Sequence, residues 1–131
     1  MSTYYVALWP HIERETRAAR EARRRNDVRL AWYHLERAHI LSQPSARHHT
    51  RIHALMFVTA LWITDVRELA GQVVRILVAG IGSLLGRFPV GNTGRARVPV
   101  NEPMEIPEDL KTILAEVERA HRSNTEPHAS L

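Results

Sequence analysis

The sequence contains no cysteine, and lysine occurs once, at Lys111. Without thiols there is no disulfide and no thiolate ligand, so any bound metal must be held by imidazole, carboxylate or backbone oxygen. Aromatic residues make up only 6% of the chain. None is interleaved with the one run of basic residues, Arg23 to Arg25, so that run lacks the stacking surfaces that accompany single-strand binding. The other arginines alternate with acids, as in "HIERETRAAREARRRND", which makes i,i+3 and i,i+4 pairs on a solvated face. The net charge of +4 and pI near 10.3 are therefore the only feature in favour of a nucleic-acid partner, and none is expected. The most apolar run, "VVRILVAGIGSLLG", is interrupted by Arg75 and by glycines and is too short for a membrane span. The start, "MSTYYVALWPHIERE", has no basic region followed by an apolar stretch. A cytoplasmic protein without membrane association is expected.

What is present fits one domain spanning residues 1–131, with 44% apolar and 24% charged residues. Helical signals dominate. A first helix is expected over 10–25, opened by Pro10, with a narrow face of Ile12, Thr16, Ala19 and Ala22. Asn26-Asp27 is a turn and N-cap signal. A second helix is expected over 28–42, burying Leu30, Ala31, Leu35, Ala38 and Leu41 and stopped by Pro44. These two helices resemble one tetratricopeptide-like hairpin, without further repeats.

A third helix is expected from Ala46. "TDVRE" reads as a capping box with Asp65 at the cap and Glu68 three residues on. A fourth helix, or a continuation of the third, covers 66–81, with Gly80, Gly82 and Gly86 permitting close packing. Residues 82–106 are rich in Gly, Pro and Asn and read as an ordered loop. Pro107 opens a last helix to about 121, with acids in its first turn, and 122–131 reads as a disordered tail. The expected fold is all-α, a small bundle of about five helices with a Gly/Pro-rich loop before the last.

Histidine is where the sequence departs from the ordinary. "LERAHILSQPSARHHTRIH" holds four of the eight histidines, and His34 precedes it. If the second and third helices form an antiparallel hairpin around Pro44, His39 and His49 lie at similar height, each about five residues from the turn. Glu36 and His53 lie about one turn further out. At about 100° per residue, His49 and His53 are about 40° apart and Glu36 and His39 about 60° apart, so all four can converge. His34 is about 140° from His39, and His48 about 100° from His49, so both should point elsewhere. Three imidazoles and a carboxylate suit zinc or Fe(II), with copper, nickel or manganese as alternatives. A hydrogen-bonded structural cluster, or histidines scattered over the surface, are the competing readings.

Two further features have structural explanations at hand. Asp65 and Glu68 can supply carboxylates to the same site only if the chain reverses near Thr64. Otherwise Glu68 is about 22 Å from His53 along one helix, and capping is the favoured role. "VGNTG" can present backbone N–H groups to an anion, with Arg87, Arg95 and Arg97 nearby, but it is not a Walker loop. Glycines at positive φ in a turn are the simpler reading.

Taken together, "LERAHILSQ", the His49-x-x-x-His53 pair, the D-x-x-E-x-x-G-Q run from Asp65 to Gln72, "GS-x-x-G-x-x-PVGNTG" and "PM-x-IP-x-DL" resemble the bacterial family named domain of unknown function 3703, over about residues 14–115. The resemblance implies that Glu36, His39, Gln43, His49, His53, Glu68 and the Gly91–Gly94 loop occupy motif positions. It implies no reaction. Ser42 stands where the motif has glycine, and His34 and His48 lie outside it.

The sequence thus supports a small helical metalloprotein with His39, His49 and His53 as ligands and Glu36 as fourth ligand or catalytic base. Trp32 and Met56 would exclude solvent about one turn away. Such a protein could be a metal-dependent hydrolase or oxidoreductase that activates water or dioxygen for a small-molecule substrate. The alternative is a non-catalytic helical module that offers a groove to a protein partner and uses its histidines structurally. Oligomerisation is left open.

Overall fold

In a computed structural model, residues 3–85, 91–99 and 102–125 are described, with side chains over 4–78, 91–99 and 102–125. Among the described residues five helices follow one another: α1 (Thr3–Arg24), α2 (Val28–Ser42), α3 (Ala46–Trp62), α4 (Val66–Leu85) and α5 (Glu108–Thr125). Among the described residues there is no strand, and no helix is long and apolar enough to cross a membrane. The fold is an all-α bundle. α1 packs on α2, α2 on α3 and α3 on α4, while α5 lies across α1 and α2.

The two hairpins use the same turn. After α1, Asn26 takes a left-handed φ of 59° and the N–H of Asp27 reaches back to the carbonyl of Ala22 at 2.9 Å. After α3, Thr64 takes φ 57° and the N–H of Asp65 reaches the carbonyl of Ala60 at 3.0 Å. Both satisfy the last helical carbonyls in the Schellman manner. Each aspartate then caps the next helix, Asp27 accepting from Leu30 N and Asp65 from Glu68 N, both at 3.0 Å. The fourth helix is therefore separate from the third, and the chain does reverse at Thr64. The reciprocal half of the expected capping box is absent, because the Glu68 carboxylate is engaged elsewhere.

The core is built from Leu8, Ile12, Trp32, Leu35, Leu41, Ile52, Met56 and Leu110, all at most 3% exposed. Trp32 and Met56 are buried as expected, and so is the small face of Ile12, Thr16, Ala19 and Ala22. Two expectations need correction. Pro10 does not open α1; it lies inside a helix that begins at Thr3. Proline there has no N–H for the preceding turn, but burial of Leu8 at 1% exposure and the edge contact of Tyr4 with His121 on α5 at 5.8 Å hold the extra turns. Leu30 is 41% exposed, so Trp32 takes its place on the inner face of α2.

The last helix runs on to Thr125. Residues 122–125 of the tail expected over 122–131 are thus helical, while 126–131 and the packing expected at Gly80, Gly82 and Gly86 lie outside the described residues and side chains. One surface is unlike the rest. Val58, Leu61 and Trp62 on α3 and Val66, Val73, Val74, Leu77 and Val78 on α4 are each 37–71% exposed.

Candidate metal centre

Buried polar side chains are costly unless paired, so their concentration marks the site. His39, Ser42, Gln43, His49, His53, Glu68, Gln72, Arg75 and Asn92 are all at most 8% exposed, and they gather where α2, α3, α4 and the segment 91–99 meet. His39 comes from the last turn of α2, and His49 and His53 stand one turn apart on the inner face of α3. His49 Nε2 is 2.7 Å from His39 Nε2, and His53 Nε2 is 3.2 Å from it. One ring nitrogen from each of the three lies within 4.8 Å of the other two.

The outer shell fixes the tautomers. Nδ1 of His39 is 2.7 Å from the carbonyl oxygen of Asn92. A carbonyl only accepts, so Nδ1 carries the proton and Nε2 the lone pair. Nδ1 of His53 is 2.8 Å from Oε1 of Gln72. The Gln72 amide nitrogen donates to Glu68 Oε1 and to the carbonyl of Gly94, both at 2.9 Å. These two acceptors orient the amide, and His53 Nδ1 must donate to its oxygen. His39 and His53 therefore turn unprotonated Nε2 atoms toward each other at 3.2 Å. One N–H from His49 can satisfy only one of them, whereas a cation among the three satisfies all.

Protons do not supply that cation near neutrality. Burial, then the charges of His49 and His53, push His39 well below the ordinary histidine range. Burial first, and then His53 and Arg75, take His49 down to about 3. Burial, with Arg75 adding to it, takes His53 to about 4. Neutral imidazoles are the form that binds metal. In a tetrahedral zinc site with Zn–N near 2.0–2.1 Å, ligand nitrogens stand about 3.3 Å apart. The His39–His53 separation already matches, and the His39–His49 separation needs to open by a few tenths of an ångström.

Glu36 is placed elsewhere. Among the described residues the group that could hold a metal comprises the three histidines alone. The Glu36 carboxylate accepts from Arg95 Nη1 at 3.3 Å, and its pKa is raised by burial, an effect that Arg95 opposes. The reason lies in the segment 91–99, which returns over α2 and brings a guanidinium to the face of the helix that Glu36 occupies. Arg95 also donates to Glu68 Oε2 at 3.2 Å and stacks 3.8 Å over the Trp32 ring. A continuous chain thus runs from His53 through Gln72, Glu68 and Arg95 to Glu36. His34 and His48 point away, as expected: His34 is 2.7 Å from Glu15, and His48 stacks on Trp9 at 4.9 Å.

The Gly91–Gly94 loop covers His39 as a lid, and the N–H groups of Gly91 and Gly94 already have acceptors in Gln43 and Asn92. Gly91 and Gly94 have φ of 75° and 80°, which glycine adopts without strain. A Cβ at Gly94 would lie 2.7 Å from the His39 ring, so only glycine lets the backbone press against that imidazole. Asn92 locks the loop from within, its amide nitrogen donating to the carbonyls of Pro99 and Glu102 and its oxygen accepting from Gly94 N. Gln43 accepts from Gly91 N at 3.1 Å. Arg75, expected only as an interruption of an apolar helix, donates to the carbonyls of Arg95 and Val98 and fastens the same segment to α4. Arg87 lies outside the described residues.

A family model described as a protein of unknown function (DUF3703) matches residues 7–114. The chain belongs to that family. The match takes in every histidine, glutamine and glycine of the centre. No curated protein and no solved structure matches the chain.

Proposed function

We propose that this DUF3703 protein binds one divalent transition metal through Nε2 of His39, His49 and His53, and that the metal is its working centre. The observation that carries this reading is the pair of unprotonated Nε2 atoms facing each other at 3.2 Å, with both Nδ1 protons committed to acceptors. Metal-binding histidines ordinarily have their second nitrogen tied in this way to a carbonyl or amide. Three nitrogen donors favour zinc. The engagement of Glu36 with Arg95 removes the carboxylate that a two-histidine, one-carboxylate Fe(II) centre requires.

Three protein ligands leave a coordination position for an outside molecule, the arrangement found where a metal is catalytic and not merely structural. A metal held there acts as a Lewis acid on whatever occupies that position. The chain's own contribution is a dry surrounding, neutral ligands and fixed ring orientations. Hydrolysis, or an oxidation if the metal is redox-active, of a small molecule is the reaction class that follows.

The test is elemental analysis of untagged full-length protein, alongside the His49→Ala/His53→Ala variant. One equivalent of zinc in the parent and none in the variant is expected. A parent that stays folded and takes up no divalent metal when dialysed against it would leave the trio as a structural cluster and end this reading.

A further inference from the structure

The eight apolar side chains exposed on α3 and α4 have no counterpart elsewhere on the described surface, where the other large exposed apolar residues are dispersed. On α4, Val66, Ala70, Val73 and Leu77 follow the 4-3-4 spacing of a coiled-coil seam. Their positions fall within about 60° of one another around the helix. The Gln72–His53 bond shows which sides of α3 and α4 face each other. Turning roughly a third of a turn outward from those residues at about 100° per residue brings Val58 and Leu61, and Val73 and Leu77, to the same side of the hairpin. On α4 the stripe of Val66, Ala70, Val73 and Leu77 is itself uncharged, and Arg67 lies beside it, between the flanking Val74 and Val78.

With individual exposures of 37–71%, the eight side chains present on the order of 800 Å², which is what each partner of a standard stable interface buries. The largest apolar patches on monomers are usually smaller. We infer that this face is the interface of a homodimer, with α4 packed antiparallel against α4 of a second copy about a two-fold axis. A two-fold pairing lays the same uncharged stripe on itself, so the surface is its own complement. It also leaves the arginine-rich face of α1 in solvent, where two chains of net charge +4 repel least. The histidine centre lies on the opposite side of α3 and α4 and is complete within one chain, so this inference is independent of the metal reading.

Sedimentation equilibrium of the untagged full chain over a concentration series tests it. A mass of about 30 kDa, twice the 15.0 kDa of one chain, is expected. Val73→Glu/Leu77→Glu should shift it to a monomer over the same concentrations with helical circular dichroism retained, whereas Val6→Glu, on α1, should leave the dimer intact. Should the double variant misfold, Val73→Cys provides the second measurement. The parent chain has no cysteine, so mild oxidation should join two copies through that thiol alone, and Val6→Cys should not cross-link. A monomeric parent would overturn the proposal and leave the face to a peptide or a lipid surface. A dimer that survives Val73→Glu/Leu77→Glu, or that fails to cross-link at Val73 when the double variant misfolds, would overturn it as well.

Discussion

His34 and His39 sit five residues apart on one helix, and their surroundings could hardly differ more. His34 Nδ1 meets the carboxylate of Glu15 at 2.7 Å, Glu15 also accepts from Arg37 Nε at 3.2 Å, and Arg37 pairs with Asp109. Every charge in that cluster has an opposite charge beside it, and the result ties α1, α2 and α5 together. His39 has a carbonyl behind it and two imidazoles in front. Its neighbours are donors of lone pairs with no charge to answer them. The first cluster is complete as it stands; the second becomes complete only with a cation. A buried histidine is informative when its partners leave a lone pair facing another lone pair, and much less so when they form a closed ion pair.

The sharpest way to break that comparison is to remove each histidine in turn. His39→Ala should lower zinc affinity by about 100-fold or more, since it deletes a ligand whose loss exceeds the usual outer-shell effect of about 10–100-fold. His34→Ala should leave metal stoichiometry at one and lower thermal stability instead. Competition titration against a chromogenic chelator separates the two. Equal losses of affinity in both variants would erase the distinction.

Acid should distinguish the two regions next. The folded-state values of about 3 for His49 and about 4 for His53 lie below the unfolded value of about 6.5. The unfolded chain therefore binds more protons below pH 6.5, and stability falls as pH drops from there toward about 4 and then 3. Each such histidine contributes a slope of at most about 1.4 kcal/mol per pH unit. Chemical denaturation of the metal-free protein between pH 7 and 4.5 should show this decline, and the His49→Gln/His53→Gln variant should flatten it. Metal should shift the decline to lower pH, because bound imidazole resists protonation. A parent whose stability is level across that range would contradict the neutral, buried state of the trio.

An intermediate effect is expected from Gln72, which touches no metal in this reading. Gln72→Leu removes the acceptor that orients His53 and the donor that holds Gly94. Zinc affinity should fall about 10–100-fold, and amide exchange in residues 91–99 should quicken. Loss of affinity without faster exchange would separate the orientation of His53 from the fastening of the lid.

Much of this was legible in the chain. Helix spacing around Pro44 brought His39, His49 and His53 to one place, and angular offsets sent His34 and His48 away. What spacing could not give was the role of Glu36, because the residue that captures it, Arg95, lies 59 positions later in a segment with no periodic signal. Gln72 and Asn92 fall in runs that carry the family resemblance, but their roles were missed for the same reason: a glutamine and an asparagine acquire meaning only when the chain folds back on them. One signal was available. "TDVR" at 64–67 repeats "NDVR" at 26–29, and reading it as the same turn would have reversed the chain at Thr64 and carried Glu68 and Gln72 toward His53. The extension of α1 ahead of Pro10 was hidden by local propensity, which packing against α5 overrides.

The smallest effect should come from Glu36, and it decides how far the centre extends. Glu36 reaches His53 only through Arg95, Glu68 and Gln72. Glu36→Gln keeps the shape and removes the charge that pairs with Arg95, whose other partners, Glu68 and the Trp32 ring, remain. Because the pair is partly exposed, with side chains 29% and 22% accessible, its loss should cost at most about 1 kcal/mol. Zinc affinity should change by no more than a few-fold. If Glu36 instead served as a ligand, the same change would approach the loss expected for His39→Ala, and an X-ray absorption spectrum would lose an oxygen donor. If it served as a base without ligating, metal content would hold while turnover of any substrate fell. Arg95→Met supplies the cross-check: it frees the Glu36 carboxylate without altering it. Metal affinity should weaken slightly as Glu68 loses one of its partners, whereas a rise in affinity would mean that Glu36, once released, swings to the metal.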